Sequence, residues 1–357
     1  MTDFSFDFQL WDTWRSVIFW SVRGIGLVSA LWALQTYRIN SMVNTRPLAI
    51  LVFTVLIFML GLFPIEWGYG TDRANYAGSF IHKYKTEVGG SFGDSGFILL
   101  SKFLSLFLDV RQYFVALAFI YIANYYIAIN KLVKEKSFWL TAAVVSSFGF
   151  TAYVTNTMRA GLALSFVVLS FACYPLKKKM ILCMLIAVCL HLSSVIPVIM
   201  IVISYYCSRT RLFYKLWLLA IPLSFLAGEF FMSYFAAMSD DSRTSYLNNM
   251  QNTSYQVGFR VDFIIYSLTP IIIGYYFIFK KKFRDNFYTL LYNSYILTNI
   301  FWILVIRANY TDRFAYLSWF MMPFIMVYPL LKQKLSLKEN VWLGSILLGE
   351  TAFGFLI

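Results

Sequence analysis

Charge is scarce in this sequence: 13% of its 357 residues are Asp, Glu, Lys or Arg, against 60% hydrophobic. No hydrophilic stretch is long enough to fold as a soluble domain. The four cysteines, Cys173, Cys183, Cys189 and Cys207, lie in or beside apolar runs. Their spacing suits neither a zinc site nor a disulfide pair, so they read as small lipid- or core-facing side chains. There is no Gly-rich nucleotide loop, no HExxH, and no Asp-x-Asp on an outer loop to hold a metal with a diphosphate. The first residues, MTDFSFDFQLWD, have no basic n-region and no small-residue cleavage site, so no cleaved signal peptide is expected.

What is present is apolar sequence in continuous runs. Mean hydropathy is +0.66, and runs of about 17–25 residues recur, the length of a helix that crosses the hydrocarbon core. A β-barrel would alternate instead. The expected fold is therefore all-α: one polytopic integral membrane domain over 1–357 with about 10–12 transmembrane helices. Segments are predicted near 14–36, 48–65, 111–130, 138–150, 155–175, 180–190, 194–206, 212–235, 261–280, 287–306, 313–331 and 340–357. Segment 96–108 is apolar but short, and reads as re-entrant or interfacial.

Net charge is +13, and eighteen of the thirty Lys and Arg fall in six connections. These are Arg38/Arg46, Lys131/Lys134/Lys136, Lys177–Lys179, Arg209/Arg211/Lys215, Lys280–Lys282/Arg284 and Lys332/Lys334/Lys338. Only Glu135, Asp285 and Glu339 oppose them. The positive-inside rule puts this set in the cytoplasm. The basic excess is then a topology signal and an anionic-lipid contact rather than a nucleic-acid footprint.

Two stretches must return on themselves: 137–176, turning near Thr151–Arg159, and 180–206, turning near His191. The limbs of the second are too short to cross about 30 Å at about 1.5 Å per residue. They predict re-entrant or half helices around a polar cavity, where irregular backbone is tolerated. Both termini then face outward, with larger outward loops at 66–110 and 236–260.

The outward face collects Asp72, Arg73, Tyr76, Asp94, Arg111, Arg159, His191, Asp240, Asp241, Arg243, Arg260, Asp262, Arg307, Asp312 and Arg313. Outside the six basic connections only Lys83, Lys85 and Lys102 are lysine. Arg recognises phosphate and carboxylate oxygens in a fork, which fits a lipid-linked phosphate or diphosphate. Arg159 opens the apolar helix after Thr155-Asn156-Thr157-Met158. A cation there opposes the helix dipole, so an anionic ligand or a carboxylate should neutralise it. His191, in an apolar hairpin, is a functional candidate, with hydrogen bonding to backbone as the plainer reading. Asp72 can cap a helix, act in catalysis, or do both. Arg243 and Arg260 read as solvated, and Asp312–Arg313 as a structural ion pair. Exposed His82 has no role. Arg23, about 13 Å into the first helix, needs a carboxylate or a water-filled cavity; Glu229 and Glu350 are the available acids.

Five ordered motifs over about 60–325 carry a family resemblance. They are Gly70-Thr71-Asp72 with Tyr76; Asp94-Ser95-Gly96-Phe97; Asn156-Thr157-Met158-Arg159-Ala160-Gly161-Leu162-Ala163; His191-Leu192-Ser193; and Arg313-Phe314-Ala315-Tyr316 with Pro323. Together they resemble the EpsG branch of the Wzy-type polysaccharide polymerases, which more often shows Glu-Pro-Gly-Phe at the second motif. The chain departs from the family at Glu66, where an Arg is common, and at Ala160, where Gln is common.

The resemblance implies a membrane glycosyltransferase, with a glycosyltransferase-C-like helical fold compatible. Such an enzyme joins undecaprenyl-diphosphate-linked repeat units into O-antigen, capsule or exopolysaccharide at the outer face of the bacterial inner membrane. The implied partners are the lipid-linked glycan, membrane lipid and a chain-length regulator, with no nucleic acid, cofactor or metal. On that reading Arg159 and Arg313 bind the diphosphate, with Arg243 or Arg111 assisting. Asp72 or His191 is the base, and Tyr76, Asn156, Asp312 and Tyr316 line the glycan site. A membrane O-acyltransferase and a lipid-linked glycan flippase are the rival classes. The absence of an internal repeat and the gathering of polar residues at one face argue against the second.

Overall fold

The structure, a computed structural model, describes residues 8–35, 44–66, 72–83, 94–237, 258–308, 310–333 and 337–356. Among these residues there is no strand, and the chain is an all-α polytopic membrane protein. Among the described residues, five helical stretches are long and apolar enough to cross a membrane: Phe8–Gln35, Val110–Ser146, Thr210–Ser233, Val261–Lys280 and Thr311–Lys332. Shorter apolar helices include Arg46–Gly61, Ser95–Ser105, Met158–Ala172 and Leu192–Tyr206. The chain forms two compact units, 1–195 with 327–357, and 196–326.

The first unit holds α1 (Phe8–Gln35), α2 (Arg46–Gly61), α3 (Asp72–Gly78), α4 (Ser95–Ser105), α5 (Val110–Val133), α6 (Ser137–Ser146), α7 (Gly149–Thr155), α8 (Met158–Ala172) and α9 (Lys177–Leu190). Its pairings are α2 and α8 on α5, α9 on α8, and α1 with the last helix of the chain, Leu337–Leu356. Ala30 and Ala33 are fully buried in α1; small residues let helices approach closely where lipid gives no hydrophobic drive. The short limbs expected for 180–206 are present: Lys177–Leu190 is 14 residues long and spans about 21 Å, and Val195–Tyr206 is 12 residues long and spans about 18 Å.

Arg23 is buried in α1. Its Nη1 donates to the carbonyl of Ser146 at 3.2 Å, the last residue of α6, where a cation complements the helix dipole. Its guanidinium packs on the rings of Phe19 and Phe355 and abuts Gly354. Of the two acids considered for it, Glu229 is exposed and Glu350 is buried. Glu350 lies one turn before Gly354, on the same helix face.

The second unit is built on α10 (Val195–Tyr206), α11 (Thr210–Ala237), α12 (Val261–Tyr275), α13 (Asn286–Leu304), α14 (Thr311–Trp319) and the start of α15 (Met322–Lys332). Its interior is tied by a buried polar node. Trp217 Nε1 donates to Asn299 Oδ1 at 2.7 Å, while Asn299 Nδ2 donates to Ser267 and Ser318. Trp319 Nε1 also donates to Ser267 at 2.8 Å. Side-chain hydrogen bonds of this kind link helices where water is absent. The last helix of the chain, α16 (Leu337–Leu356), belongs to the first unit.

Candidate functional site

The site forms where four elements of the first unit end. α7 stops at Thr155 and α8 starts at Met158, so Arg159 stands in the first turn of α8. Gly161 makes this break compact: a Cβ there would lie 2.3 Å from the carbonyl oxygen of Tyr153. α9 stops at Leu190, and His191 is extended (φ −158, ψ 123) before a short 3-10 turn and α10. α4 begins directly after Asp94. Gly96 lets α4 meet the end of α9, since a Cβ there would stand 2.7 Å from the carbonyl oxygen of Cys189.

Asp94 joins these ends. Its Oδ2 accepts from Arg159 Nη1 at 2.5 Å, and its Oδ1 lies 3.3 Å from His191 Nδ1. The carboxylate side chain is 3% exposed, against 30% for Arg159 and 21% for His191. The buried acid therefore carries two groups that a ligand can reach. Arg159 Nε also donates to the Tyr76 hydroxyl at 3.0 Å, with its guanidinium 5.5 Å from the Tyr76 ring centroid. Tyr76 in turn packs on buried Phe97. The expected need for a carboxylate beside Arg159 is met by Asp94.

α3 places Tyr76. Arg73, 2% exposed, donates Nη2 to the carbonyl of Gly61 at 2.7 Å and Nη1 to that of Leu60 at 3.4 Å. Its guanidinium lies 4.0 Å from the Phe114 centroid. It satisfies the orphan carbonyls at the end of α2 and complements that helix's dipole. Burial lowers its pKa to about 9, with the charge of Glu66 opposing the shift, so it remains a cation at neutral pH. Arg73, counted among the outward cations, is a structural residue. Glu66, where the family pattern has Arg, also takes a hydrogen bond from the Trp11 indole.

Asp72 opens α3 and shares a helix face with Tyr76 at i, i+4. Gly70, Thr71, Asp240, Asp241 and Arg243 lie outside the described residues. Asn156 is exposed at the α7 end. Arg111 is exposed in the first turn of α5, beside the Asp109–Gln112 capping box, and is not part of the Asp94 cluster. Cys173 and Cys183 are buried, and all four cysteines are free.

Arg313, Asp312 and Tyr316 belong to the second unit, on α14. Arg313 stacks 4.9 Å from the Tyr310 ring centroid, and Tyr316 packs on Trp319. The charge of Arg313 acts on neighbouring Asp312, whose Oδ1 is buried without a hydrogen bond. Arg260 pairs with Asp262, at 2.5 Å from Nη2, and its guanidinium lies 3.7 Å from the Phe263 centroid. Arg260, expected to be solvated, is thus engaged. Among the described residues no three His, Cys, Asp or Glu gather as a metal site would need.

Asp94 is the member of this cluster to which the sequence pattern assigns no role. It stood among the outward charges and in a matched motif, but was given no role. The signal available was the unneutralised Arg159, together with an aspartate heading an apolar helix with glycine two residues on.

A cluster of Arg, His, Asp and Tyr thus gathers at helix ends in an all-α polytopic membrane chain. The EpsG family model matches residues 49–349, and the chain belongs to the EpsG family, whose members are Wzy-like polymerases. No curated protein and no solved structure matches the chain.

Proposed function

We propose that the protein joins undecaprenyl-diphosphate-linked oligosaccharide repeat units into surface polysaccharide at the outer face of the bacterial inner membrane. The observation that carries this reading is the Arg159–Asp94–His191 cluster with Tyr76, in a chain of a polymerase family. Arg159, in the first turn of α8 and partly exposed, binds the donor diphosphate. The helix N-terminus adds to its attraction for an anion.

His191 is the base. The acceptor sugar hydroxyl attacks the anomeric carbon of the donor. Its proton passes to His191 Nε2, the new C–O bond forms, and the anomeric carbon–phosphate oxygen bond breaks with its electron pair going to the diphosphate. Arg159 stabilises that developing charge without a metal. Asp72 and Tyr76, on one face of α3, orient the glycan. This choice of base leaves Asp72 a binding role.

The test uses the purified protein in liposomes with a synthetic lipid-diphosphate repeat unit. The expected result is a ladder of long products that EDTA does not abolish. Arg159→Ala should lower the rate by about 100-fold or more, the range for losing one transition-state charge donor. Acyl transfer from an acyl donor, or lipid translocation without new glycosidic bonds, would overturn the reading in favour of an acyltransferase or a flippase.

A further inference from the structure

We infer that Asp94 is the positioning residue of this site: through separate carboxylate oxygens it fixes the His191 ring in the Nδ1–H form and holds Arg159 against Tyr76. The proposal rests on the polymerase reading for the chemistry His191 performs, but the ring geometry stands independently of it.

Three aspartates in the described chain directly precede a helix, and they behave differently. Asp109 caps α5 by accepting from Gln112 N, and Asp285 caps α13 by accepting from Tyr288 N. Both have extended backbones, with ψ of 174 and 115. Such a cap is worth about 1 kcal/mol. Asp94, with φ −121 and ψ 8, makes no cap on α4. Its carboxylate is turned away from its own helix toward two other chain segments, 65 and 97 residues distant.

A carboxylate this deeply buried requires charge-assisted partners. Arg159 on Oδ2 supplies the charge, and His191 on Oδ1 takes the other oxygen. An ionised carboxylate only accepts hydrogen bonds, so the His191 nitrogen facing it carries the hydrogen. Nε2 then holds the lone pair, the form a general base needs. The His191 main chain is already held. Its N–H donates to the carbonyl of Ala187 at 3.0 Å, and its carbonyl accepts from Ser194 N at 3.1 Å and from Ser194 Oγ at 2.8 Å. What is left to set is ring rotation and tautomer, and Asp94 sets both. Asp94 acts through His191 and Arg159, and need not touch substrate.

The chain has 2 histidines, which makes the test direct. In a His82→Asn background, every ¹⁵N imidazole signal of the protein in nanodiscs belongs to His191. The expected neutral-form spectrum is Nδ1 protonated and Nε2 unprotonated. Asp94→Asn offers both a donor and an acceptor, so the Nε2–H form should rise, and kcat/KM should fall by about 100-fold or more, the contribution of a correctly oriented base. Asp94→Glu keeps an acceptor-only carboxylate and should keep the Nδ1–H signature with partial activity. A dominant Nε2–H ring in the His82→Asn protein overturns the assignment without any change at Asp94, as does an unchanged spectrum and rate in Asp94→Asn. An Nδ1–H ring in a protein that makes no glycosidic bond would sink the polymerase reading and leave the Asp94 assignment standing.

Discussion

Gly96 sets how closely Asp94 can approach His191. The Cβ of an alanine there would meet the backbone of Cys189 at 2.7 and 2.9 Å, and backbone cannot swing aside as a side chain can. Gly96→Ala should therefore lever α4 off the end of α9, costing about 1–3 kcal/mol as overpacking does, and should depress turnover because the Asp94–His191 reach lengthens. Gly24→Ala is the control: its Cβ meets nothing within 4 Å, and alanine in a helix interior is favourable by about 0.5–1 kcal/mol. Thermal unfolding of the two variants in detergent, beside their polymerisation rates, checks this. Equal behaviour of the two would show that α4 is free to shift. Arg159, His191 and Tyr76 were legible in the sequence because an ionisable or hydroxylated residue in an apolar chain must be explained. Asp94 was less so, since its partners are 65 and 97 residues away and no local spacing announces such contacts. Arg73 was misleading for the opposite reason: its charge suggested a ligand, whereas its role is to close α2.

At the scale of elements, the end of α2 and the start of α3 are one device. A helix that stops inside an apolar setting leaves carbonyls without partners, and Arg73 returns from twelve residues on to meet that of Gly61. Arg73→Leu should cost about 1–3 kcal/mol, the penalty of leaving buried acceptors unsatisfied. Arg73→Lys should recover only part of it, having no fork to span two carbonyls. The measurement is thermal unfolding. Loss of glycan transfer at a temperature where Arg73→Leu is still folded would mean the residue also serves the ligand. Helix positions were readable because apolar run length follows the membrane: the segments predicted at 180–190 and 194–206 appear as Lys177–Leu190 and Val195–Tyr206, broken at His191. The predicted segment 138–150 instead ends at Ser146, and a separate helix follows over Gly149–Thr155. Hydrophobicity alone does not report such a break, because both pieces are apolar. Ser95–Ser105 is the short helix foreseen at 96–108. It buries Phe97 and Ser101 while exposing Leu99 and Phe103, as a helix lying partly in lipid does.

For the whole molecule, the orientation in the membrane decides whether the Asp94 cluster meets a lipid-linked substrate outside or a nucleotide-activated one inside. The positive-inside distribution argues for outside, and the α8–α9 hairpin is where the claim is most exposed to test. Asn156 precedes α8 and is exposed, while Lys178 lies in the exposed basic first turn of α9. The intervening helix is 15 residues long and spans about 23 Å, so the two positions should fall at different membrane depths. In a variant whose four cysteines are replaced, Asn156→Cys in intact cells stripped of any outer barrier should react with a membrane-impermeant maleimide. Lys178→Cys should react only after permeabilisation. The half-helix reading takes one more position, since a full span through 180–206 would carry Arg209 and Arg211 to the opposite side from Lys178. A third single cysteine, Arg209→Cys, should therefore label with Lys178→Cys. If Asn156→Cys labelled only from the cytoplasm, Arg159 and His191 would face the wrong compartment for lipid-linked polymerisation, and the anion they hold would have to be sought among cytoplasmic donors.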